Sequence, residues 1–368
     1  MTSVSGAEKH LLDLLPAAKK LGINCELICI CPIKNRTSLL EYCSEMERNA
    51  VKTTLFTASS KISYINLARK IAGYIKSNNI QAVHSHLFSA DLIVVLVKKL
   101  YLKNLITLST KHGYEEEYLI QYGLGNKKIR NNFYYYISKY VINNTTHNLA
   151  VSRSLSRLYV HLRLGKKQMP YIHHGIKLQP PVEKSVRIDE NPKILTVGRL
   201  SVIKGHTYLI QALPEIIKAF PSIKVILVGD GPLKTDLINE ATSLQVIDHI
   251  KFAGFAKPED YSQECQVMIL PSLFESFGLV YIESFALKIP VIAFDAEAGN
   301  EIIENNETGI LVPKGDVSAL AEKIIYLLSS SSERERISAN AYNEYVSYYN
   351  VARMAKETAD WYREIIAV

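Results

Sequence analysis

Two carboxylates, Glu275 and Glu283, lie in the segment Pro271-Ser-Leu-Phe-Glu-Ser-Phe-Gly-Leu-Val-Tyr-Ile-Glu-Ser-Phe-Ala-Leu-Lys-Ile-Pro290. The apolar run Val267 to Leu270 just before it reads as a strand, and residues Phe277 to Leu279 open a helix. The first N–H groups of a helix have no partner within it and, with the dipole, favour an anion. Gly278 has no Cβ to block the approach, so a phosphate fits there. Glu283 falls about one turn inside the helix and Glu275 in the loop before it, an arrangement poorly suited to a catalytic acid–base pair. The two carboxylates suit hydrogen bonds to separate parts of one ligand.

A second segment, Thr196-Val-Gly-Arg199-Leu-Ser-Val-Ile-Lys204-Gly-His, sets two cations just past another strand. A guanidinium fork plus an ammonium point charge matches a diphosphate on which negative charge grows as a bond breaks. Taken alone, the pair reads equally well as two solvated surface residues. No Asp-x-Asp pair is present to hold a divalent ion against a diphosphate, and the expectation is of no metal and no cofactor. Asp230, in Gly-Asp-Gly-Pro, reads as a turn residue. His112, at a strand end, is divided between a structural and a functional role, and His84, His86, His173 and His174 are weaker candidates.

These groups need a scaffold, and apolar runs of strand length alternate with helical patterns along the whole chain, which predicts parallel α/β architecture. In the first half Ile23 to Cys31, Ala82 to His86, Leu105 to Thr110 and Asn148 to Ser152 read as strands, with amphipathic stretches near 6–21, 64–78, 88–101 and 128–143. A fresh series follows: Lys193 to Val197, Ile223 to Val228, Ile250 to Ala253, Val267 to Leu270, Val291 to Phe294 and Ile310 to Val312. The proline-flanked polar segment 179–192 between the series reads as a linker. The expected division is a Rossmann-like domain over 1–178, the linker, a second Rossmann-like domain over 193–345, and a terminal helix over 346–368 with Trp361 as its large anchor. Doubly wound sheets place ligands beyond the carboxyl ends of their strands, so two in tandem are expected to share a site in a cleft.

With 368 residues, 48% hydrophobic and 21% charged, the chain has the composition of a globular protein, which excludes a disordered or low-complexity one. No apolar stretch reaches about 18 residues, the length that would predict a spanning helix. The start, Met1-Thr-Ser-Val-Ser-Gly, lacks the pattern of a secretory signal and predicts a cytoplasmic location. Cys25, Cys29 and Cys31 alternate onto one strand face and read as core thiols. Charge is uneven. Residues 1–177 hold 25 Lys plus Arg against 10 Asp plus Glu, a net +15, and the remainder is net −8. A surplus of that size attracts phosphates through its long-range field. Its cations are scattered and no nucleic-acid-reading motif is present, so no nucleic-acid partner is expected.

Taken together the motifs resemble the retaining GT-B glycosyltransferases of family 4. The resemblance runs through Ser5-Gly6-Ala-Glu8, His84-Ser-His86, Lys111-His112-Gly113, His174-Gly-Ile, Gly198-Arg199 with Lys204-Gly205, Gly229-Asp-Gly-Pro232, and Glu275 with Glu283 in the E-x7-E arrangement. It implies that Glu275 contacts the donor sugar, that Glu283 holds the ribose hydroxyls, and that Arg199 and Lys204 with Gly198 bind the diphosphate. The backbone from Ser276 through Phe277 and Gly278 to Leu279 would approach phosphate and sugar, and Gly254, Phe255 and Ala256 the base. Gly6 would lie near the donor phosphate and His112 near the transferred sugar, with the acceptor in the same half. Three departures stand out: Ser5-Gly6 replaces a glycine pair, Ala298-Gly299 replaces another before Glu301, and only five residues precede Gly6, so the first strand of the N-terminal sheet is expected to be missing.

The implied activity is transfer of a sugar from a nucleoside diphosphate, UDP by family frequency, to a hydroxyl of a glycan or lipid-linked acceptor in bacterial-type cell-surface polysaccharide synthesis. The implied mechanism is front-face attack without metal. A catalytically silent GT-B-like subunit that binds a nucleotide sugar or a partner protein is the alternative. A GT-B epimerase would need acid–base groups that the sequence does not identify. In Tyr114 to Asn144, Lys127, Lys128, Arg130 and Lys139 interleave with Phe133, Tyr134, Tyr135, Tyr136 and Tyr140. Such a helix either lies peripherally on an anionic membrane or is an ordinary core helix with solvated lysines.

Overall fold

The computed structural model describes residues 6–32, 36–58, 63–114, 133–165, 167–178 and 191–366. The chain forms two compact units, one of Met1–Ile176 with Asn350–Val368 and one of Lys177–Tyr349. Most of the linker segment, 179–190, lies outside the described residues, as does the 115–132 part of the aromatic and basic stretch. Among the described residues no helix is long and apolar enough to cross a membrane.

The first unit opens with α1 (Gly6–Lys20), then β1 (Leu27–Pro32), α2 (Arg36–Arg48), β2 (Thr53–Ala58), α3 (Ser63–Ser77), β3 (Ala82–His86), α4 (Phe88–Leu100), β4 (Ile106–Lys111), α5 (Phe133–Asn144), β5 (His147–Ala150) and α6 (Arg153–His161). Its strands are parallel but fall into two sheets, β1-β2 and β3-β4-β5, with no strand joining them among the described residues. Sequence reading missed α2, β2 and α6. Cys29 and Cys31 are buried with Leu39, Tyr42, Cys43 and Met46, and Cys25 packs against them, as their alternation predicted.

The second unit contains β6 (Lys193–Val197), α7 (His206–Ala219), β7 (Lys224–Val228), α8 (Lys234–Ser243), β8 (Ile250–Gly254), β9 (Val267–Leu270), α9 (Leu279–Ala286), β10 (Val291–Phe294), α10 (Gly299–Ile302), β11 (Ile310–Val312), α11 (Val317–Ser329) and α12 (Ser331–Ser347). These strands form one parallel sheet in the order β11-β10-β9-β6-β7-β8. Every residue of β9 and β10 is buried, as expected of short continuous apolar runs covered on both faces. The core joins Ile194, Leu227, Ile269 and Phe294 of the strands to Leu213 and Ile216 of α7 and Leu320 and Ile324 of α11. The last helix, α13 (Val351–Ile366), belongs to the first unit, where Met354 and Ala355 are buried with Leu14 of α1.

The helix α9 has clear boundaries. Gly278 precedes it in the left-handed conformation, at φ +86°. It ends where the Ile289 N–H donates to the Ser284 carbonyl and the Lys288 N–H to the Phe285 carbonyl, with Lys288 itself left-handed. This is the Schellman arrangement, and Pro290 follows to prevent continuation.

Candidate active site

The sheet order of the second unit reverses between β6 and β9, the place where open α/β sheets leave a crevice beyond their carboxyl ends. The loops leaving those two strands carry the charged groups read from the sequence. They are fastened together: the Leu273 N–H donates to the Ile203 carbonyl at 2.8 Å, and Gly205 is left-handed and so close to Pro271 that a Cβ there would overlap its carbonyl oxygen. Across this contact the Lys204 ammonium donates to Oε1 of Glu275 at 2.7 Å, and the Ser272 hydroxyl donates to the same oxygen at 2.9 Å. Both charged side chains are largely covered, at 20% and 13% exposure.

Arg199 is exposed at the end of β6, in the same loop as Lys204. Ser276, Phe277 and Gly278 lead from Glu275 into α9, and Leu279 is its first residue. Glu283 is buried within α9. Phe277 is buried, its ring edge-on to Tyr349. Gly278 is needed twice over, because its backbone is left-handed and a Cβ would stand 2.5 Å from the Tyr281 ring. Gly198 differs: a Cβ there would make only ordinary contacts with Lys204 and His206. Gly254 ends β8 at φ +67°, and beyond it Phe255, 89% exposed, lines a shallow hollow of about 560 Å³ with Ala256, Lys257 and Asp260. An exposed aromatic face of this kind can stack on a base. Asp230 accepts from the Gly231 N–H at 2.7 Å and lies by Lys234, and these two donors hold its carboxyl below the usual range, as befits a turn residue.

Sequence reading passed over Tyr281. It is fully buried, its hydroxyl has no hydrogen-bond partner within the described structure, and burial raises its pKa well above the ordinary value with Glu275 and Glu297 adding to the effect.

In the first unit Gly6 is the exposed first residue of α1, and His112 follows β4. His112 does not stand alone. Its Nε2 is 2.9 Å from Nδ1 of His86, which ends β3, and its ring centroid is 5.3 Å from His10 of α1 and 5.4 Å from His174. Nδ1 of His10 and Nδ1 of His174 are 2.8 Å apart. His84 spends both nitrogens on other partners, the Tyr362 hydroxyl at 2.6 Å and the Thr110 hydroxyl at 2.8 Å. Burial is the main cause that pushes these rings down, His84 and His112 to about 3, with neighbouring imidazoles and cations adding to it. His10, His86 and His174 fall well below the ordinary value for the same reason. All five are neutral at physiological pH. Their convergence was invisible in a sequence that spreads them from position 10 to position 174.

Beneath His112 lies a buried ion pair. Lys111 Nζ donates to Asp91 Oδ2 at 2.6 Å, while the Ser85 and Ser109 hydroxyls each donate to Oδ1 at 2.6 Å. The network joins α4, β3 and β4 just where His86 and His112 emerge.

Two parallel α/β units, with charged and glycine-bearing loops at the switch point of the second, define the GT-B class of fold. Residues 4–180 match the family described as Glycosyltransferase Family 4, and residues 181–344 match Glycosyl transferases group 1. The chain belongs to this glycosyltransferase family. It is similar to the α-D-kanosaminyltransferase of Streptomyces kanamyceticus, 30% identical over 48% of this chain and 47% of that one. It is also similar to an uncharacterised glycosyltransferase of Haemophilus influenzae, 24% identical over 89% and 88%. The match thus spans about half the length of the first relative and most of the second. Among solved structures, Anabaena Alr3699/HepE in complex with UDP superposes with a TM-score of 0.79 at 18% identity, covering 99% of this chain and 98% of that one, which establishes the common fold.

Proposed function

We propose that the protein is a retaining glycosyltransferase that moves a sugar from a UDP-linked donor to a hydroxyl of a glycan or lipid-linked acceptor in cell-surface polysaccharide synthesis. The observation that carries this reading is the Lys204–Glu275 contact at the switch point, directly before the start of α9. Lys204, Arg199 and the free N–H groups of α9 would neutralise the diphosphate as the bond to the sugar breaks, so no metal ion is required there. Glu275 would hold sugar hydroxyls, Glu283 the ribose, and Phe255 would stack beside the base. The HepE structure, which carries UDP, supports the choice of nucleotide.

In the reaction the C1–O bond to the diphosphate breaks, the acceptor oxygen bonds C1 on the same face, and the acceptor's proton passes to the departing phosphate oxygen. His112 would orient the sugar as a neutral imidazole, and Gly6 would lie by the phosphate. On α5 Phe133, Tyr136 and Tyr140 are exposed at 81%, 59% and 52%, at helical spacing and beside Lys139. That face supports a peripheral position on the anionic cytoplasmic surface of a membrane.

A thermal-shift panel of UDP, GDP and ADP sugars, followed by NMR of the product's anomeric centre, tests the reading. Stabilisation by a UDP-sugar and a product of unchanged configuration are expected, with transfer persisting in chelator. Binding without turnover across acceptors indicates a silent subunit, and an inverted product removes the front-face mechanism.

A further inference from the structure

We propose that His10, His86 and His112 form a binding site for a divalent transition-metal ion of the zinc class. One nitrogen from each ring lies within 4.8 Å of the others, and the three come from separate elements, α1, the end of β3 and the residue after β4. Zinc bonds imidazole nitrogen at about 2.0–2.1 Å, which sets tetrahedral ligand atoms roughly 3.3 Å apart, so small rotations of rings already in contact close the site. Three imidazoles and no carboxylate or thiolate suit zinc, cobalt, nickel or copper rather than magnesium or calcium.

The surroundings complete the argument. Imidazole binds a metal through the lone pair of its neutral form, which each of the three rings can offer from one nitrogen. The contact of His174 with Nδ1 of His10 fixes that ring's orientation, the role an outer hydrogen-bond partner plays for a ligating histidine. His84, with both nitrogens engaged by Tyr362 and Thr110, is left out of the ligand set. Each ligand keeps its N–H on the nitrogen away from the ion, so binding shifts tautomers and releases no proton. Three ligands leave a fourth position open, and an ion held there ties α1 to the ends of β3 and β4. This departs from the sequence expectation of no metal anywhere in the chain, while leaving the diphosphate metal-free.

Equilibrium dialysis of the chelator-stripped full chain against Zn²⁺ and Co²⁺ tests the site. One ion per chain is expected, with a Co²⁺ spectrum showing d–d bands and no thiolate charge transfer. Loss of an outer-shell partner alone costs about 10–100-fold in metal affinity, so His10→Gln and His86→Gln should each weaken binding by at least roughly a hundredfold. Zinc-edge X-ray absorption of the loaded wild type should read nitrogen scatterers, an answer that needs no variant to fold. The proposal is overturned by the absence of stoichiometric binding, by equal affinity in the His10→Gln/His86→Gln double variant, or by sulfur ligation through the cysteines near Cys29 and Cys43.

Discussion

The ammonium of Lys204 and the carboxylate of Glu275 meet at 2.7 Å across the two loops that leave the central strands of the second unit. The pair holds an ammonium and a carboxylate in one fixed relation. Lys204→Met should lower the transfer rate by about 10²–10³-fold, the usual loss when one preorganised donor to a developing anion is removed. Glu275→Gln should keep the fold and donor binding and reduce turnover. Steady-state kinetics with the sugar nucleotide that supports turnover check both; an unchanged kcat in Lys204→Met contradicts its proposed role.

The two loops stay in register because Gly205 has no side chain. An alanine there meets the Pro271 carbonyl and a left-handed backbone together, so Gly205→Ala should cost about 3 kcal/mol or more. Urea unfolding of the second unit gives the value, and a cost near zero shows that the contact is not close.

Asp91 and Lys111 are buried together, at 4% and 6% exposure. Asp91→Asn leaves an ammonium without its counter-charge and should destabilise the first unit by about 3–5 kcal/mol. A double replacement with apolar residues of similar volume should recover much of that loss. Chemical denaturation of the single and double variants measures both effects.

Acid should weaken the same unit. His84 and His112 titrate near 3 when folded and near 6.5 when unfolded, so between those values the unfolded chain binds protons that the native chain refuses. Stability therefore rises with pH through that window and is lost as pH falls from 6.5 toward 3, each ring contributing a slope of at most about 1.4 kcal/mol per pH unit. Denaturation at several pH values in chelator measures this slope. Replacing His84 with glutamine should flatten it, and an unaltered slope contradicts the assignment to this ring.

Much of the second unit was legible because its strands are short, wholly apolar and buried on both faces, as in Val267 to Leu270 and Val291 to Phe294. The switch-point residues were legible for a related reason: Gly278, Glu275 and Lys204 each follow a strand closely. In α2 the helical spacing of Leu39, Tyr42, Cys43 and Met46 is present, but Glu41, Glu45, Glu47 and Arg48 dilute it. In β2 the sequence Thr-Thr-Leu-Phe-Thr-Ala carries too little apolar character to announce a strand, and only the parallel pairing with β1 makes it one. The histidine cluster and the Asp91 network depend on tertiary convergence, which no local pattern encodes.

Calorimetric titration of UDP and UDP-glucose into the wild type, Arg199→Ala and Glu283→Ala tests the central claim most directly. Truncating one charged hydrogen-bonding group costs about 1.5–3 kcal/mol, so the account predicts saturable binding to the wild type and affinities weaker by roughly 10- to 150-fold in each variant. A wild type that binds neither compound, or variants that bind as tightly as the wild type, would contradict it.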